Sequence, residues 1–251
     1  MGGLYVRPLQ TNKEIFMFQD FESKYTPTQL DDFVFNSETS KMVIEDVVGG
    51  LLPFPGMGKN GILLYGSFGT GKSALAKVLP SLINQARGGG AEAMEKYYNI
   101  AAGGANGVSI VDAIGRQAML MPFTKYNYFV LDEVDNLSHQ AMTSLKVVMN
   151  ISPLTTVFIF TTNRLWAIDG GVQDRSKCIS FEAAGAAAWL PRCKKILSDY
   201  GVVGVTDDLL LQIISKANGS GRRTMEYVQK LILERHKVLK QRGEEQPLTP
   251  A

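Results

Sequence analysis

The chain has 251 residues, 45% of them hydrophobic and 20% charged, and a formal net charge of +2. That length holds one good core with room for a smaller second unit, and the near-neutral balance excludes a globally basic coat, so any footprint for nucleic acid must be local. The two cysteines, Cys178 and Cys193, and the two histidines, His139 and His236, show no metal-ligand spacing.

Residues 1–6 lack the charged and apolar regions of a signal peptide, and Val6 stands where an N-myristoylation signal has Ser or Thr. No apolar run approaches membrane-spanning length. The expectation is a cytoplasmic protein, nuclear in a eukaryotic host, with no membrane contact. Residues 1–23, with Phe16, Phe18 and Phe21, read as an N-terminal arm. Residues 38–48 read as a helix on Met42, Val43, Val47 and Val48, and 49–59 as a Gly- and Pro-rich loop. Residues 62–65 are a short apolar strand of the buried parallel type.

Directly after it, Gly66, Ser67, Phe68, Gly69, Thr70, Gly71, Lys72 and Ser73 fit the pattern G-x-x-x-x-G-K-[ST] without a gap. Glycines let the backbone curl so that N–H groups converge on phosphate oxygens. The lysine reaches the β- and γ-phosphates, and the serine hydroxyl holds Mg²⁺. Residues 73–79 open a helix whose positive end faces those phosphates.

Further on, 97–100 reads as a strand between two glycine clusters, 109–120 as a helix, 128–131 as a strand, 138–149 as a helix and 157–160 as a strand. Strands alternating with helices call for an α/β fold, a parallel sheet with helices on both faces. After Phe181 the stretches 183–200, 206–217 and 221–241 read as helices of a small all-helical unit, and the end is polar and Pro-containing. The expected organisation is an arm (1–23), a nucleotide-binding α/β domain (24–181), a helical lid (182–241) and a frayed tail (242–251).

A second constellation follows the 128–131 strand. Asp132 and Glu133 lie at the carboxyl end of a buried strand, where ligands bind in open α/β sheets. Asp132 suits the outer shell of Mg²⁺, and Glu133 can orient a water against the γ-phosphate. Asn163, after the 157–160 strand, could reach the same water or phosphate.

This order of motifs resembles the AAA+ ATPases, and within them the clamp-loader clade of replication factor C small subunits and the bacterial gamma/tau subunit. Residues 24–33 resemble the clade's K-Y-R-P-x-x-L-D-D start, and residues 98–108 its L-N-A-S-D-x-R-G-I segment, with Ala102-Gly103-Gly104-Ala105 where charges would be. Residues 132–145 align with D-E-V-x-x-L-S…L, 158–163 look like the sensor-1 strand, and Gly221-Arg222 fits the sensor-2 position. Gln173-Asp174-Arg175-Ser176 sits where the clade has its S-R-C arginine finger.

The resemblance implies a P-loop NTPase core with a helical lid, ATP and Mg²⁺ as ligands, and an ATPase with sites at subunit interfaces. It implies Tyr25 and Pro27 against adenine, Asn163 as sensor 1, Arg175 as a finger in trans and Arg222 as sensor 2. Arg164 and Lys177 are neighbouring cations that could be taken for the finger. It further implies a homo- or hetero-oligomer, sequence-independent contacts to DNA phosphates from the helix that begins near Ser109 and carries Arg116, and a client such as a sliding clamp or a helicase. The clade's loaders also carry a helical collar, for which no residues follow the lid here; the expectation is a member without it. Two alternatives stay open: a helicase-loader or transposition-type AAA+ regulator that assembles on DNA, and a nucleotide-dependent interaction scaffold.

Overall fold

The structure, a computed structural model, describes residues 21–90, 93–100 and 107–241. Five strands pair in parallel in the order β2-β3-β4-β1-β5: β1 (Gly61–Tyr65), β2 (Glu95–Asn99), β3 (Asn127–Asp132), β4 (Thr156–Thr162) and β5 (Ser176–Ser180). β1 lies between β4 and β5, so the loop that leaves it emerges mid-sheet.

Each central strand sends alternate side chains to opposite faces, as the two-residue period of a strand requires. Ile62, Leu64, Tyr128, Val130 and Ile159 meet Ile44, Val47, Leu75, Leu79 and Ile83 on one face. Those partners come from α1 (Glu38–Gly49) and α2 (Lys72–Ala86). Leu63, Phe129, Leu131, Phe158 and Phe160 meet Val111, Ile114, Leu145 and Met149 on the other. These come from α3 (Val108–Ala118) and α4 (His139–Ile151). Asp132, two residues beyond Val130, therefore emerges on the α2 face, beside the start of that helix.

α2 runs on through Pro80 to Ala86, well past the expected opening turns. A proline inside a helix costs about 3 kcal/mol, and burial of Leu79, Leu82 and Ile83, at about 2 kcal/mol each, outweighs it. α5 (Gly170–Asp174) then leads into β5.

The helical unit consists of α6 (Ala186–Asp199), α7 (Asp207–Ser215) and α8 (Gly221–Gln241). Trp189, Cys193, Ile196, Leu210, Ile214, Val228 and Ile232 form its core. Phe21 belongs to that same core, and residues 21–25 are helical. Residues 21–23 of the expected arm thus pack on the helical unit through Phe21, while Phe16 and Phe18 lie outside the described residues. So do residues 101–106 of the degraded N-A-S-D segment and the tail from 242 onward.

Some boundaries differ from expectation. β2 begins two residues earlier than the 97–100 reading, because Glu95 and Lys96 are solvent-facing positions of an edge strand that no apolar run marks. α3 stops at Ala118 and leaves Met119 and Leu120 exposed. β5 is not anticipated as a strand: it is another edge strand, with Ser176 and Ile179 buried on opposite faces and Cys178 exposed, so no apolar run or clean alternation marks it.

Candidate functional site

The turn after β1 is built around backbone conformations that only glycine holds without strain. Gly66 has φ +148°, and a Cβ there would lie 2.5 Å from the Phe181 carbonyl oxygen. Gly71 has φ +108° and serves as the N-cap of α2. Lys72 is 6% exposed, and its Nζ donates to the carbonyls of Gly66 (2.9 Å) and Ser67 (2.6 Å), while Thr70 Oγ1 donates to Ser67 O (3.1 Å). Burial pushes the Lys72 ammonium down from its ordinary value, against the nearby carboxylates of Glu182, Asp132, Asp135 and Glu133.

Ser73, in the first turn of α2, donates to Asp132 Oδ1 at 2.8 Å. Asp132 is nearly buried and also accepts from Thr161 Oγ1 and, at 2.6 Å, from Tyr97 Oη. Burial first, and that carboxylate second, push the Tyr97 phenol up. A hydroxyl and a carboxylate side by side are hard oxygen donors of the kind Mg²⁺ takes when phosphate and water fill the rest of its shell. Among the described residues no cluster of three or more His, Cys, Asp or Glu could hold an ion unaided.

Glu133 follows with φ 56° and ψ 48°, a left-handed conformation rare for a residue with a side chain and concentrated at functional sites. Its N–H donates to Thr161 Oγ1 (3.0 Å), and its Oε2 accepts from Asn136 Nδ2 (3.4 Å).

These groups open onto one cleft of about 670 Å³ between the sheet and the helical unit, a size that suits a small ligand. Phe68, Gly69, Thr70, Gly71, Lys72 and Ser73 form its floor, and Glu133 and Asn163 one end. Tyr25 and Pro27 line it from the chain ahead of α1, and Arg222 from the first turn of α8. Arg222 N–H donates to Gly69 O at 3.4 Å, so the helical unit touches the loop directly. Gly66, Ser67 and Asp132 stand behind this lining rather than in it.

Several partners in and around the cleft are not visible in the sequence. Glu182, just past β5, accepts the N–H (3.0 Å) and the hydroxyl (2.9 Å) of Ser67 through one oxygen, Oε2. Arg192 of α6 donates to Tyr25 O (3.1 Å) and lies 3.6 Å from Asp32 Oδ1. Burial alone would raise the Asp32 carboxyl; the N–H groups of Thr28 and Gln29 and the Arg192 charge outweigh it and hold it low. Tyr25 Oη donates to Asp199 (2.8 Å), and burial together with that carboxylate pushes its phenol up.

Arg175 is not part of this cleft. Its carbonyl accepts from Asn60 and Gly61, which puts it at the amino end of β1. The phosphate loop leaves the opposite end, about 17 Å away at the usual 3.3 Å per strand residue. Its guanidinium donates to Gly171 O (3.0 Å) and Asn150 Oδ1 (3.2 Å). Arg164, the neighbouring cation, pairs with Asp135 at 2.7 Å and donates to Asn136 Oδ1.

The profile described as "ATPase family associated with various cellular activities (AAA)" matches residues 62–182, from the second residue of β1 to Glu182. Just under half of the chain matches this AAA profile. Over 219 residues it is 28% identical to replication factor C small subunit 2 of Pyrobaculum arsenaticum, covering 86% of this chain and 63% of that protein. It is 29% identical to probable replication factor C subunit 2 of Dictyostelium discoideum, covering 82% of this chain and 58% of that one. It is 24% identical to DNA polymerase III subunit gamma/tau of Mycoplasma pneumoniae, covering 79% and 30%. These are members of the clamp-loader clade, the one the motifs resemble. The chain spans less than two thirds of the length of each of these relatives. In fold, it is similar to the Thermotoga maritima RuvB Holliday junction branch migration motor, with a TM-score of 0.62 and 16% identity over 86% of this chain and 73% of that one. The matched region takes in the phosphate loop, Glu133 and the five strands from the second residue of β1 onward, and α6 to α8 follow it.

Proposed function

We propose that the cleft binds Mg–ATP and hydrolyses it to ADP and phosphate, and that the chain works as an AAA+ subunit of an oligomer acting on DNA. The observation that carries this reading is that one cleft holds both a phosphate loop and Glu133. A scaffold that only bound nucleotide would need the loop but not a water-orienting carboxylate.

In this reading Lys72 leaves the loop carbonyls to meet the β- and γ-phosphates, and the freed N–H groups of the loop cradle them. Ser73 and Asp132 would hold the ion, whose charge would offset that on the phosphoryl oxygens. Glu133 accepts a proton from the attacking water as its oxygen bonds to the γ-phosphorus, and the bond to the bridging oxygen breaks to leave ADP. Asn163 orients that water, and Arg222 reports the γ-phosphate to the lid. Tyr25 and Pro27 flank the base, in a loop that Arg192 ties to α6. Because Arg175 lies at the far end of its own sheet, it serves as a finger only for a neighbouring subunit's site.

The DNA reading rests on the relatives and on α3. Ser109 and Arg116 are exposed on that helix, and Asp112, exposed one turn before Arg116, offsets part of its charge. Binding is therefore weak per subunit, indifferent to sequence, steeply salt-dependent and strengthened by assembly. The test is phosphate release across a range of protein concentrations, with and without DNA, beside native mass measured under the same conditions. Assembly with ATP and stimulation by DNA support the reading. A monomer that ignores both ligands contradicts it.

A further inference from the structure

Tyr97 stands at the sheet edge, where strand order brings three elements to one carboxylate. β2 is an outer strand paired in parallel with β3, in the register Tyr97 to Val130 and Asn99 to Asp132. Tyr97 is thus one step from Asp132 on the same face, the face that α2 covers. Its Oη donates to Asp132 Oδ2 at 2.6 Å, within the range of a charge-assisted O–H···O⁻ bond. The other carboxylate oxygen, Oδ1, accepts from Ser73 and Thr161. The ring is held from its outer side too, because Lys77 Nζ lies 4.4 Å from the ring centroid, a cation–π contact. Ser73 and Lys77 are one turn apart on α2, so helix, edge strand and β3 close a ring of contacts around Asp132.

Resting on the reading of the cleft as a Mg–ATP site, we propose that Tyr97 is a positioning residue for the metal. By occupying Oδ2 it fixes the plane of the Asp132 carboxylate and dedicates Oδ1 to the Ser73 side, where the ion is expected.

The chemistry follows from counting lone pairs. A carboxylate offers about four acceptor sites. When the Ser73 hydroxyl turns its oxygen toward an ion, Oδ1 gives up one donor and gains a site for a water of that ion. Oδ2 stays bound to the phenol throughout, so the carboxylate need not rotate. Without the phenol, Oδ2 is free, and rotation about the terminal bond of Asp132 lets either oxygen face the ion. The outer oxygen partners of metal-site ligands act through this kind of orientation.

The experiment titrates a fluorescent ATP analogue against the full chain, first in EDTA and then at rising Mg²⁺, for wild type, Tyr97→Phe and Lys77→Met. Tyr97→Phe should leave affinity in EDTA unchanged and raise the Mg²⁺ concentration for half-maximal tightening by about tenfold. Lys77→Met, at an exposed position, loosens the ring and should shift the same curve in the same direction by about threefold. Unchanged affinity in EDTA shows that the fold and the loop are intact, so a shift in the metal curve alone is not one that a merely structural role would give. Superposable Mg²⁺ curves for all three proteins overturn the proposal and leave the nucleotide site standing. A wild type that binds no nucleotide at any Mg²⁺ concentration overturns both.

Discussion

Glu182 grips Ser67: one carboxylate oxygen takes the backbone N–H at 3.0 Å and the hydroxyl at 2.9 Å, across 115 residues. Glu182 lies between the last strand and α6, so the connection into the helical unit is tied to the first turn of the phosphate loop. Replacing it with alanine leaves Ser67 to water. The contact is exposed, so the stability loss is small, a Tm drop of about 2 °C. The loop is also less ordered before it binds, and nucleotide affinity should fall by about threefold. Glu182→Gln keeps an acceptor and should recover most of both. Calorimetric melting and nucleotide titration of the two variants check this.

Arg175 gives the assembly prediction. A finger supplied by a neighbour is worth roughly a thousandfold or more in rate. Arg175→Ala should therefore bind ATP normally, hydrolyse it at least about a hundredfold more slowly, and poison wild type in mixtures. Wild-type activity per subunit should rise with protein concentration. Constant specific activity down to the monomer range would remove the finger from the account.

Arg222 tests the lid. Its N–H already meets Gly69, and the residue lines the cleft. Losing a charged hydrogen bond to the γ-phosphate should reduce the preference for ATP over ADP by about tenfold in Arg222→Ala. Arg223 does not line the cleft, and Arg223→Ala should leave the ratio alone. Competition titrations with the two nucleotides measure it.

The cysteines report on the lid core. Cys193 is buried among Trp189, Ile196 and Leu210, and burial pushes its thiol up to about 12, whereas Cys178 is exposed. A raised thiol is protonated and unreactive at neutral pH, and reacts only as pH climbs toward that value or the lid opens. Burial raises the Cys178 thiol too, but it is reachable, so a disulfide reagent at pH 8 should find one thiol in the native chain and a second only after denaturation. Two fast native thiols would mean that the lid core is not closed.

What the sequence showed, and what it hid, follows one physical division. The strands at 128–131 and 157–160 are buried on both faces and so are written as continuous apolar runs. β5 is an edge strand with exposed Cys178, and β2 starts on exposed Glu95 and Lys96; neither carries such a run. The phosphate loop was legible because its chemistry fixes residue types at consecutive positions. Glu182, Arg192 and Tyr97 were not, because they meet their partners across 115, 167 and 35 residues, and only the strand order and the seating of the lid bring them there. The separation of Arg175 from its own cleft is of the same kind, a consequence of which end of β5 it precedes.

The central claim is that Glu133 acts on a water beside ATP held by Lys72, and paired binding and turnover measurements on three proteins test it most directly. Wild type should bind and hydrolyse ATP. Lys72→Ala should bind none, because the phosphates lose their cation. Glu133→Gln should bind ATP as tightly as wild type and release phosphate about a hundredfold or more slowly, since an amide cannot take the proton. Turnover by Glu133→Gln at the wild-type rate, with ATP bound equally well, would contradict the account.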